Sequence, residues 1–319
     1  MVQFPIFSSR LLPRPFTQRV DFGQERDWRN FYRAIIVDQH EDPKTGAQQR
    51  HYRLSGINTV QGRWDQTLQV PGDKHQVSPS GHKAGYPGKT TTDTVTLYRA
   101  TYWGNQHQDV YPHGYTIYAR CWELIERVVF RNCRNEQPFG LSLIREYYSI
   151  RNRDKPWILN VLWPDGGSKG SQSMAYRRFV ADPVDIPELK DLIVKSSKRP
   201  QRKRNHRHNN KALVSLDLPF DIQFHILNQV CSRDVENAIQ AFGWTIPDYY
   251  WQIRTPPFIF EVKPLDSTTM PFFDWQSFAL GVEELLETSL GLQNRRRIFR
   301  ILQGTKKAFH VALREKFEY

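Results

Sequence analysis

The sequence predicts an α+β fold with a mixed N-terminal domain of strands and a helix, then three short helices, then further C-terminal helices. Aromatic and β-branched runs broken by turn residues fill the first 194 residues, which is typical of strands. Residues 218–254 instead carry apolar residues at helical spacing, with start and stop signals around each segment. A basic stretch without large apolar residues separates the two patterns. We therefore expect four parts, over residues 1–194, 195–212, 213–257 and 258–319.

The first part combines predicted strands with one predicted helix. The runs TVTLYRATY (94–102) and WILNVLW (157–163) alternate or cluster as strands do. The stretch from Tyr115 to Arg131 passes into a helix whose apolar side carries Trp122, Ile125, Val129 and Phe130. Residues 72–94 are poor in large apolar residues and are expected to form a surface loop. The tryptophans expected to pack in the core of this part are Trp28, Trp64, Trp103 and Trp163.

The net charge of +12 comes mostly from one short tract. Residues 195–211 hold eight Lys or Arg and no acid, which leaves 12 − 8 = +4 for the rest of the chain. Such a tract repels itself and has little apolar surface to bury, so a disordered linker over 195–212 is expected. The same density of positive charge fits a nuclear import signal. Its candidate residues are Lys198, Arg199, Arg202, Lys203, Arg204 and Arg207.

Each of the three central helices has its own start and stop signals. Asp217 is the expected N-cap of the first helix, with Pro219 in its first turn. Ser232 is expected to start the second helix and Gly243 to end it. Thr245 is the expected cap of the third helix, with Pro247 in its first turn. Each helix is too short to be stable alone, so the segment depends on packing.

These helices resemble an F-box, which opens with Leu-Pro and an acidic residue, continues with paired aliphatic residues and ends on Trp followed by Arg. The matching residues here are Leu218, Pro219, Asp221, Ile222, Ile226, Leu227, Val230, Trp251 and Arg254. The segment is most similar to the F-box-like segment of a group of filamentous-fungal proteins, through Phe242-Gly243-Trp244 and Pro247-Asp248-Tyr249-Tyr250-Trp251. Residues 182–189 (DPVDIPEL) and Cys121-Trp122 resemble two further segments of that group. The similarity spans about residues 110–255.

The resemblance implies a non-catalytic adaptor or substrate-receptor subunit of a cullin-RING (SCF) ubiquitin ligase. The three helices would bind a SKP-type adaptor that joins the cullin scaffold, and another region would present an unknown protein substrate for ubiquitin transfer. This expected binding also has a physical basis, since a partner helix could cover the apolar side chains of the three helices. The expected adaptor-binding residues are Leu218, Pro219, Ile222, Ile226, Leu227, Val230 and Trp251.

A nuclear protein that binds nucleic acid is the alternative from a different class. The basic tract would contact phosphates and neighbouring aromatic side chains would stack on bases, with binding that weakens as salt rises. Three cysteines without a CxxC pair favour a reducing compartment, and prolines at positions 5, 13 and 15 interrupt any signal peptide. Both functions therefore share an expected location in the nucleus, the cytoplasm or both, and no membrane segment is expected.

The sequence carries no recognisable catalytic, cofactor-binding or metal-binding motif. The segment GYPGKT (85–90) ends like a P-loop, but Lys83 stands where the first glycine is required. Potential zinc ligands lack the short paired spacing of a tetrahedral site; they are His40, His107, His113, Cys121 and Cys133. No nucleophile elbow is present either. We therefore expect no cofactor, no metal and no enzyme activity of the chain's own.

The C-terminal part is expected to be helical. Residues 256–262 are predicted as a short strand or extended segment, after which Asp274 should cap a helix. A longer helix should begin at about Leu290, with an apolar stripe from Ile298 to Leu313. Its opposite side is expected to carry Arg295, Arg296, Lys306 and Lys307. The two helices are expected to pack on the rest of the protein.

Overall fold

The computed structural model describes residues 28, 31–59, 67–72, 74, 92–98, 113–130, 178, 180–198, 218–262 and 273–317. The chain divides into two compact units. One, which we call the strand unit, comprises Met1–Val184 and Arg297–Tyr319. The other, which we call the helical unit, comprises Asp185–Arg296. Both strands and helices occur in the described residues, so the predicted α+β composition is confirmed.

The described part of the strand unit contains a sheet of six strands. These are β1 (Phe31–Glu41), β2 (Gln48–Leu54), β3 (Asn58–Thr59), β4 (Thr67–Pro71), β5 (Thr92–Tyr98) and β6 (His113–Tyr118). The strand order is β2-β1-β6-β5-β4, with β3 also paired to β1. Strands β5 and β6 are parallel, and the other pairs are antiparallel. Helix α1 (Ala119–Val128) follows β6 directly.

The sequence of β1 lacks a clean alternation of apolar and polar residues because the strand is buried on both faces. All residues from Phe31 to Val37 are buried. Tyr32, Ala34 and Ile36 cluster with Val70, whereas Phe31 clusters with Ile57 and Ala119. Alternate side chains of a strand point to opposite faces of the sheet. Both faces of β1 are therefore covered, and an almost continuous apolar run is the sequence that such a strand needs.

Two predicted elements of the strand unit were misplaced. Residues 115–118 belong to β6 rather than to a helix, because their backbone pairs with β1 from Tyr118 opposite Tyr32 to Tyr115 opposite Ile35. The helix begins at Ala119. Residues 92–94, predicted in a loop, start β5 because they pair with β4.

The predicted core of the strand unit is partly confirmed. Trp122 and Ile125 on the apolar side of α1 are buried, and so are Val129 and Phe130, which follow the helix. Trp28 is buried too, and its indole Nε1 donates to the Val180 carbonyl at 2.7 Å. The predicted strand at 157–163 lies outside the described residues, as do the P-loop-like segment 85–90 and Trp64, Trp103 and Trp163.

The helical unit is organised around one central helix. Its helices are α2 (Pro187–Lys198), α3 (Phe220–Gln229), α4 (Ser232–Phe242), α5 (Asp248–Arg254), α6 (Trp275–Thr288) and the first part of α7 (Leu290–Phe317). Helix α7 counts with the helical unit as far as Arg296 and with the strand unit from Arg297. Helices α2, α4 and α5 pack against α6. Gly281 of α6 permits a close approach of α2, because a Cβ there would lie 2.6 Å from Leu192 Cδ1.

The helix starts show which capping predictions were right. Helix α4 begins at Ser232, and its C-cap is Gly243, whose φ of 68° is the left-handed conformation that favours glycine. The carboxylate of Asp274 accepts from the Ser277 N–H at 3.0 Å, as an N-cap does. The other two predictions were wrong. Pro219 and Pro247 occupy the N-cap positions of α3 and α5, and each has an extended ψ.

Those two helices start one residue beyond the proline because its carbonyl already receives the first bonds of the turn. Pro219 accepts from the Ile222 N–H at 3.0 Å, and Pro247 accepts from the Tyr250 N–H at 3.1 Å. Asp217, the expected cap of α3, lies outside the described residues, and Thr245 lies two residues before the N-cap of α5. Neither helix has a side-chain cap.

The predicted linker is shorter than expected at its N-terminal end. Residues 195–198 are the last turn of α2, and the Ser196 carbonyl accepts from the Asp274 N–H at 3.1 Å. Residues 199–212 lie outside the described residues, so their predicted disorder and import function stay predictions. The compact units part after Val184, whereas the sequence predicted a boundary at residue 194. Whether 1–194 folds alone also remains a prediction.

The segment after α5 is irregular. Residues 256–262 contain no helix or strand, and a turn closes between the Pro256 carbonyl and the Ile259 N–H at 3.0 Å. Phe258, Ile259 and Val262 are buried there. Within the described ranges, no helix combines the length and the apolar character needed to cross a bilayer.

Candidate docking surface on the helical unit

One arginine holds three helices of the helical unit together. Arg254, at the end of α5, donates from Nε and Nη2 to the two carboxylate oxygens of Glu283 on α6, the latter at 3.0 Å. Its Nη1 donates to the Leu227 carbonyl at 2.8 Å and to the Tyr250 hydroxyl at 3.0 Å. Burial alone would lower the pKa of Arg254, but the bonds to Glu283 and Tyr250 outweigh it and raise the pKa. Arg254 therefore stays charged and fixes α3 and α5 against α6.

The seven predicted adaptor-binding residues do not share one exposed face. Leu227 and Trp251 have exposed fractions of 0% and 1%. Their side chains belong to the core of the helical unit, so they support the surface rather than contact a partner. Leu218, Ile226 and Val230 are half-buried, and only Pro219 and Ile222 are exposed. Of the seven residues, two, Leu227 and Trp251, thus lie in the core of the helical unit.

The outer sides of α3 and α5 nevertheless expose large apolar side chains. The exposed fractions are 51% for Phe220, 47% for Ile222, 50% for Tyr249 and 78% for Ile253. Among the side chains whose exposure the structure describes, two other large apolar ones are exposed, Val194 and Val311. Exposed apolar groups cost little when scattered, but a concentration of them marks an interaction site. Sequence reasoning missed Phe220, Tyr249 and Ile253 because they lie off the core stripe.

Ring contacts through Phe224 join two of these residues, Phe220 and Tyr249, into one surface. The Phe220 ring stacks on Phe224 with centroids 5.9 Å apart, and Phe224 meets Tyr249 edge-on at 5.6 Å. Phe224 also stacks on the buried Tyr250 at 4.5 Å. Ile253 lies one helical turn after Tyr249, hence on the same side of α5. We call Phe220, Phe224, Tyr249 and Ile253 the aromatic face. Ile222 projects from the other side of α3, about 200° from Phe220 at 100° per residue.

A cleft elsewhere on the helical unit carries charges of both signs. It has a volume of about 730 Å³ and lies between α2, α4 and α6. Three carboxylates line it, from Glu236, Glu284 and Glu287, together with Lys195 and Arg233. Arg233 and Glu287 form an ion pair at 3.7 Å, but both side chains are largely exposed, so the pair contributes little. Nothing in this set pairs a nucleophile with a base.

A buried charge network in the strand unit has a structural character. Glu123 of α1 pairs with Arg127 at 2.7 Å and with Arg120 at 3.4 Å, and Arg120 also pairs with Asp182 at 3.2 Å. The buried Arg33 donates to the Ser55 and Lys74 carbonyls at 2.9 and 2.7 Å. Burial lowers the pKa of Arg33, although the charges of Glu126 and Glu123 oppose this. The ion pairs tie α1 to Asp182, and Arg120 and Arg127 neutralise the Glu123 carboxylate.

Among the described residues, no group of three His, Cys, Asp or Glu side chains is placed to hold a metal ion. His40 and His51 are exposed on β1 and β2 with ring centroids 6.3 Å apart. Comparison with known proteins adds no assignment: no protein-family model, curated protein or solved structure matches this chain.

Proposed function

We propose that this chain is a non-catalytic F-box-like subunit of a cullin-RING ubiquitin ligase, and that α3 and α5 dock on its SKP-type adaptor. The observation that carries the proposal is the concentration of exposed apolar side chains on those two helices. Among the side chains whose exposure the structure describes, six large apolar ones are exposed, and three of them, Phe220, Tyr249 and Ile253, belong to the aromatic face. A partner surface that covers them gains the free energy of removing apolar area from water.

The support beneath the aromatic face also suits a docking role. Arg254 fixes α3, α5 and α6 by four hydrogen bonds, and Tyr250 donates to Asn228 Oδ1 at 3.0 Å. Because these bonds already hold the two helices in place, binding orders few additional groups. A preorganised surface binds more tightly than a mobile one of equal area.

The proposal changes the roles of the predicted residues. Leu227 and Trp251 hold the helices together, whereas Phe220, Tyr249 and Ile253 make the contacts. Pro219 starts α3 beside Phe220 and sets the direction from which the chain enters. In this role the protein binds its substrate through residues outside the aromatic face.

Co-purification with a SKP-type adaptor and its cullin tests the proposal. The full chain should bring down both partners, and the double variant Tyr249→Ser with Ile253→Ser should bind the adaptor at least about tenfold more weakly, because truncated interface anchors often cost more than 1–2 kcal/mol. The matched control is Val194→Ser with Val311→Ser, which removes two other exposed apolar side chains. Equal loss in the two double variants would sink the assignment of the aromatic face.

The positive charge of the chain favours one second candidate, a nuclear nucleic-acid-binding protein. The net charge of +12 includes eight positive residues within 195–211. Binding of a DNA or RNA oligonucleotide whose logarithm of affinity falls linearly with the logarithm of salt concentration would favour this candidate. Replacing Lys198, Arg199, Arg202, Lys203, Arg204 and Arg207 with Ala should remove that binding, and the same variant in a fluorescent fusion tests nuclear import.

A further inference from the structure

The cleft between α2, α4 and α6 has two distinct ends, which hydrogen bonds between α2 and α6 identify. At one end, Ser289, which follows α6, donates from Oγ to the Glu188 carboxylate in the first turn of α2 at 3.5 Å. At the other end, the Asp274 N–H at the start of α6 donates to the Ser196 carbonyl in the last turn of α2 at 3.1 Å. Helices α2 and α6 therefore run antiparallel, and the last turn of α2 lies beside the first turn of α6.

The end of the cleft at the start of α6 is basic. Lys195 lines the cleft next to Ser196, whose carbonyl meets this end of α6. The Asp274 carboxylate is close by, but it caps α6 by accepting from the Ser277 N–H and Oγ at 3.0 and 2.8 Å. Glu284 lines the cleft seven residues after Ser277, which is about 10 Å further along the α6 axis. The cleft thus separates Lys195 from the first of its carboxylates.

The other end of the cleft is acidic. Glu287 pairs with Arg233 at 3.7 Å, which brings the first turn of α4 to this end of α6. Glu284 lies one turn before Glu287, and Glu236 lies one turn after Arg233, and both line the cleft. Neither Glu236 nor Glu284 forms an ion pair with another described residue, and the same holds for Lys195. One cation and two carboxylates are therefore available to an occupant.

The wall between the two ends is apolar, with one hydroxyl group left to bond. Leu192, Leu280 and Gly281 line the cleft there. Ser196 also lines the cleft and is only 2% exposed. Its hydroxyl forms no hydrogen bond with any residue that the structure describes, although polar groups this buried are normally bonded. A hydroxyl both donates and accepts, so Ser196 can bond either an N–H or a carbonyl group of an occupant.

We propose that this cleft binds an extended peptide segment with acidic side chains toward one end and basic side chains toward the other. The acidic end takes Lys195, the basic end takes Glu236 and Glu284, and a backbone group between them bonds the Ser196 hydroxyl. The volume of about 730 Å³ lies within the range of about 300–1,000 Å³ that is typical of ligand pockets. The distance of about 10 Å corresponds to about three residues of an extended chain.

The charges of the cleft disfavour occupants of one sign. A nucleic acid offers only negative charge and a polyamine only positive charge, so each would match one end and be repelled at the other. Lys195, Glu236 and Glu284 are exposed, so a chain can pass along the cleft without being enclosed. This binding does not require adaptor docking. In the ligase role, the segment would belong to the substrate.

Two labelled hexapeptides of identical composition, blocked at both termini, test the inference. Glu-Glu-Ala-Ser-Lys-Lys separates its charges, whereas Glu-Lys-Ala-Ser-Glu-Lys mixes them in either chain direction. Neither peptide has a net charge, so the +12 charge of the protein does not distinguish them. In fluorescence anisotropy with the full chain, the separated peptide should bind at least about threefold more tightly, as expected for three exposed charge pairs.

The double variant Glu236→Gln with Glu284→Gln should reduce this affinity ratio at least about twofold, because two of the pairs are lost. Lys195→Gln tests the opposite end and should reduce the ratio as well. The matched control is Asp221→Asn with Glu41→Gln, which makes the same change in net charge through two exposed carboxylates outside the cleft. Circular dichroism verifies that the variants stay folded.

An unchanged ratio in the control, with a reduced ratio in both cleft variants, supports the inference. Equal affinity for the two peptides, no binding of either, or an equal reduction in the control and the cleft variants would overturn it.

Adaptor binding separates this inference from the proposed function, because the cleft shares no residue with the aromatic face. The Glu236→Gln, Glu284→Gln variant should bind the SKP-type adaptor as wild type does. If the separated peptide is preferred and the adaptor does not bind, the peptide site stands and the ligase role falls. If the adaptor binds and the peptides are not distinguished, the ligase role stands and the peptide site falls.

Discussion

The pair Arg254–Glu283 should be strongly coupled in a double-mutant cycle. The side chains are 11% and 24% exposed, and two guanidinium–carboxylate hydrogen bonds join them. Breaking a fully buried pair costs about 3–5 kcal/mol, and an exposed pair contributes about 0.2–1 kcal/mol. We expect a coupling free energy of about 2 kcal/mol for this partly buried pair, and about 3 kcal/mol of destabilisation for Arg254→Met, which also removes the bonds to Leu227 and Tyr250.

The chain supplies a matched control on the same helix. Arg233 and Glu287 are 86% and 67% exposed and 3.7 Å apart, and Glu287 lies one turn after Glu283 on α6. The cycle compares Arg254→Met and Glu283→Gln with Arg233→Met and Glu287→Gln, using urea unfolding followed by fluorescence of the nine tryptophans. The control should couple by at most about 0.5 kcal/mol. A coupling of Arg254 and Glu283 no larger than this would refute the claim that Arg254 fixes α3 and α5 on α6.

Three further predictions concern single sites. Ile253→Ser should leave the free energy of unfolding within about 0.5 kcal/mol of wild type, because this side chain is exposed, yet weaken adaptor binding; a large loss of stability would contradict its role in docking. Gly281→Ala should destabilise the protein by about 1 kcal/mol, because the added Cβ would meet the Leu192 side chain. In a Leu192→Ala background the same change should stabilise the protein, because the higher helix propensity of alanine then dominates. If urea unfolding gives the same sign in both backgrounds, the close approach of α2 and α6 is contradicted. Burial raises the pKa of Cys121 to about 12 from an ordinary value of 9.0, so the stability contributed by the neutral thiol is present below pH 9 and is lost as the pH rises from 9 to 12. Cys121→Ala should therefore reduce the loss of stability between pH 9 and pH 10. An unchanged dependence of the free energy of unfolding on pH would contradict this.

Local sequence patterns predicted the ends of helices better than they predicted pairing between distant parts of the chain. Ser232, Gly243 and Asp274 mark helix ends through their own backbone and side-chain chemistry, and the structure has those ends where the sequence placed them. Pro219 and Pro247 misled the prediction because proline is equally compatible with the N-cap and the first turn. The run YTIYARCWELIERV reads as one helix, but pairing with β1 converts its first residues to a strand. Such long-range pairing is not visible in a local pattern.

The candidate site was harder to predict because apolar spacing does not say which side of a helix meets its own protein. Leu227 and Trp251 were predicted to contact a partner, but the structure buries both side chains in the core of the helical unit. Arg295 was placed on the polar side of α7, yet it is 1% exposed and pairs with Glu261 at 2.8 Å. The irregular segment 256–262 brings that carboxylate to α7, which a helical pattern cannot reveal. Arg254 stood in the F-box pattern only as a terminal letter, and its partner Glu283 lies 29 residues away.

The most direct test of the docking claim is titration calorimetry of the purified full chain with a purified SKP-type adaptor. We expect a saturable one-to-one interaction for wild type and for the Val194→Ser, Val311→Ser control. We also expect at least about tenfold weaker binding for Tyr249→Ser with Ile253→Ser at unchanged circular dichroism. A folded wild-type chain that shows no binding, or a Tyr249→Ser, Ile253→Ser variant that binds as wild type does, would contradict it.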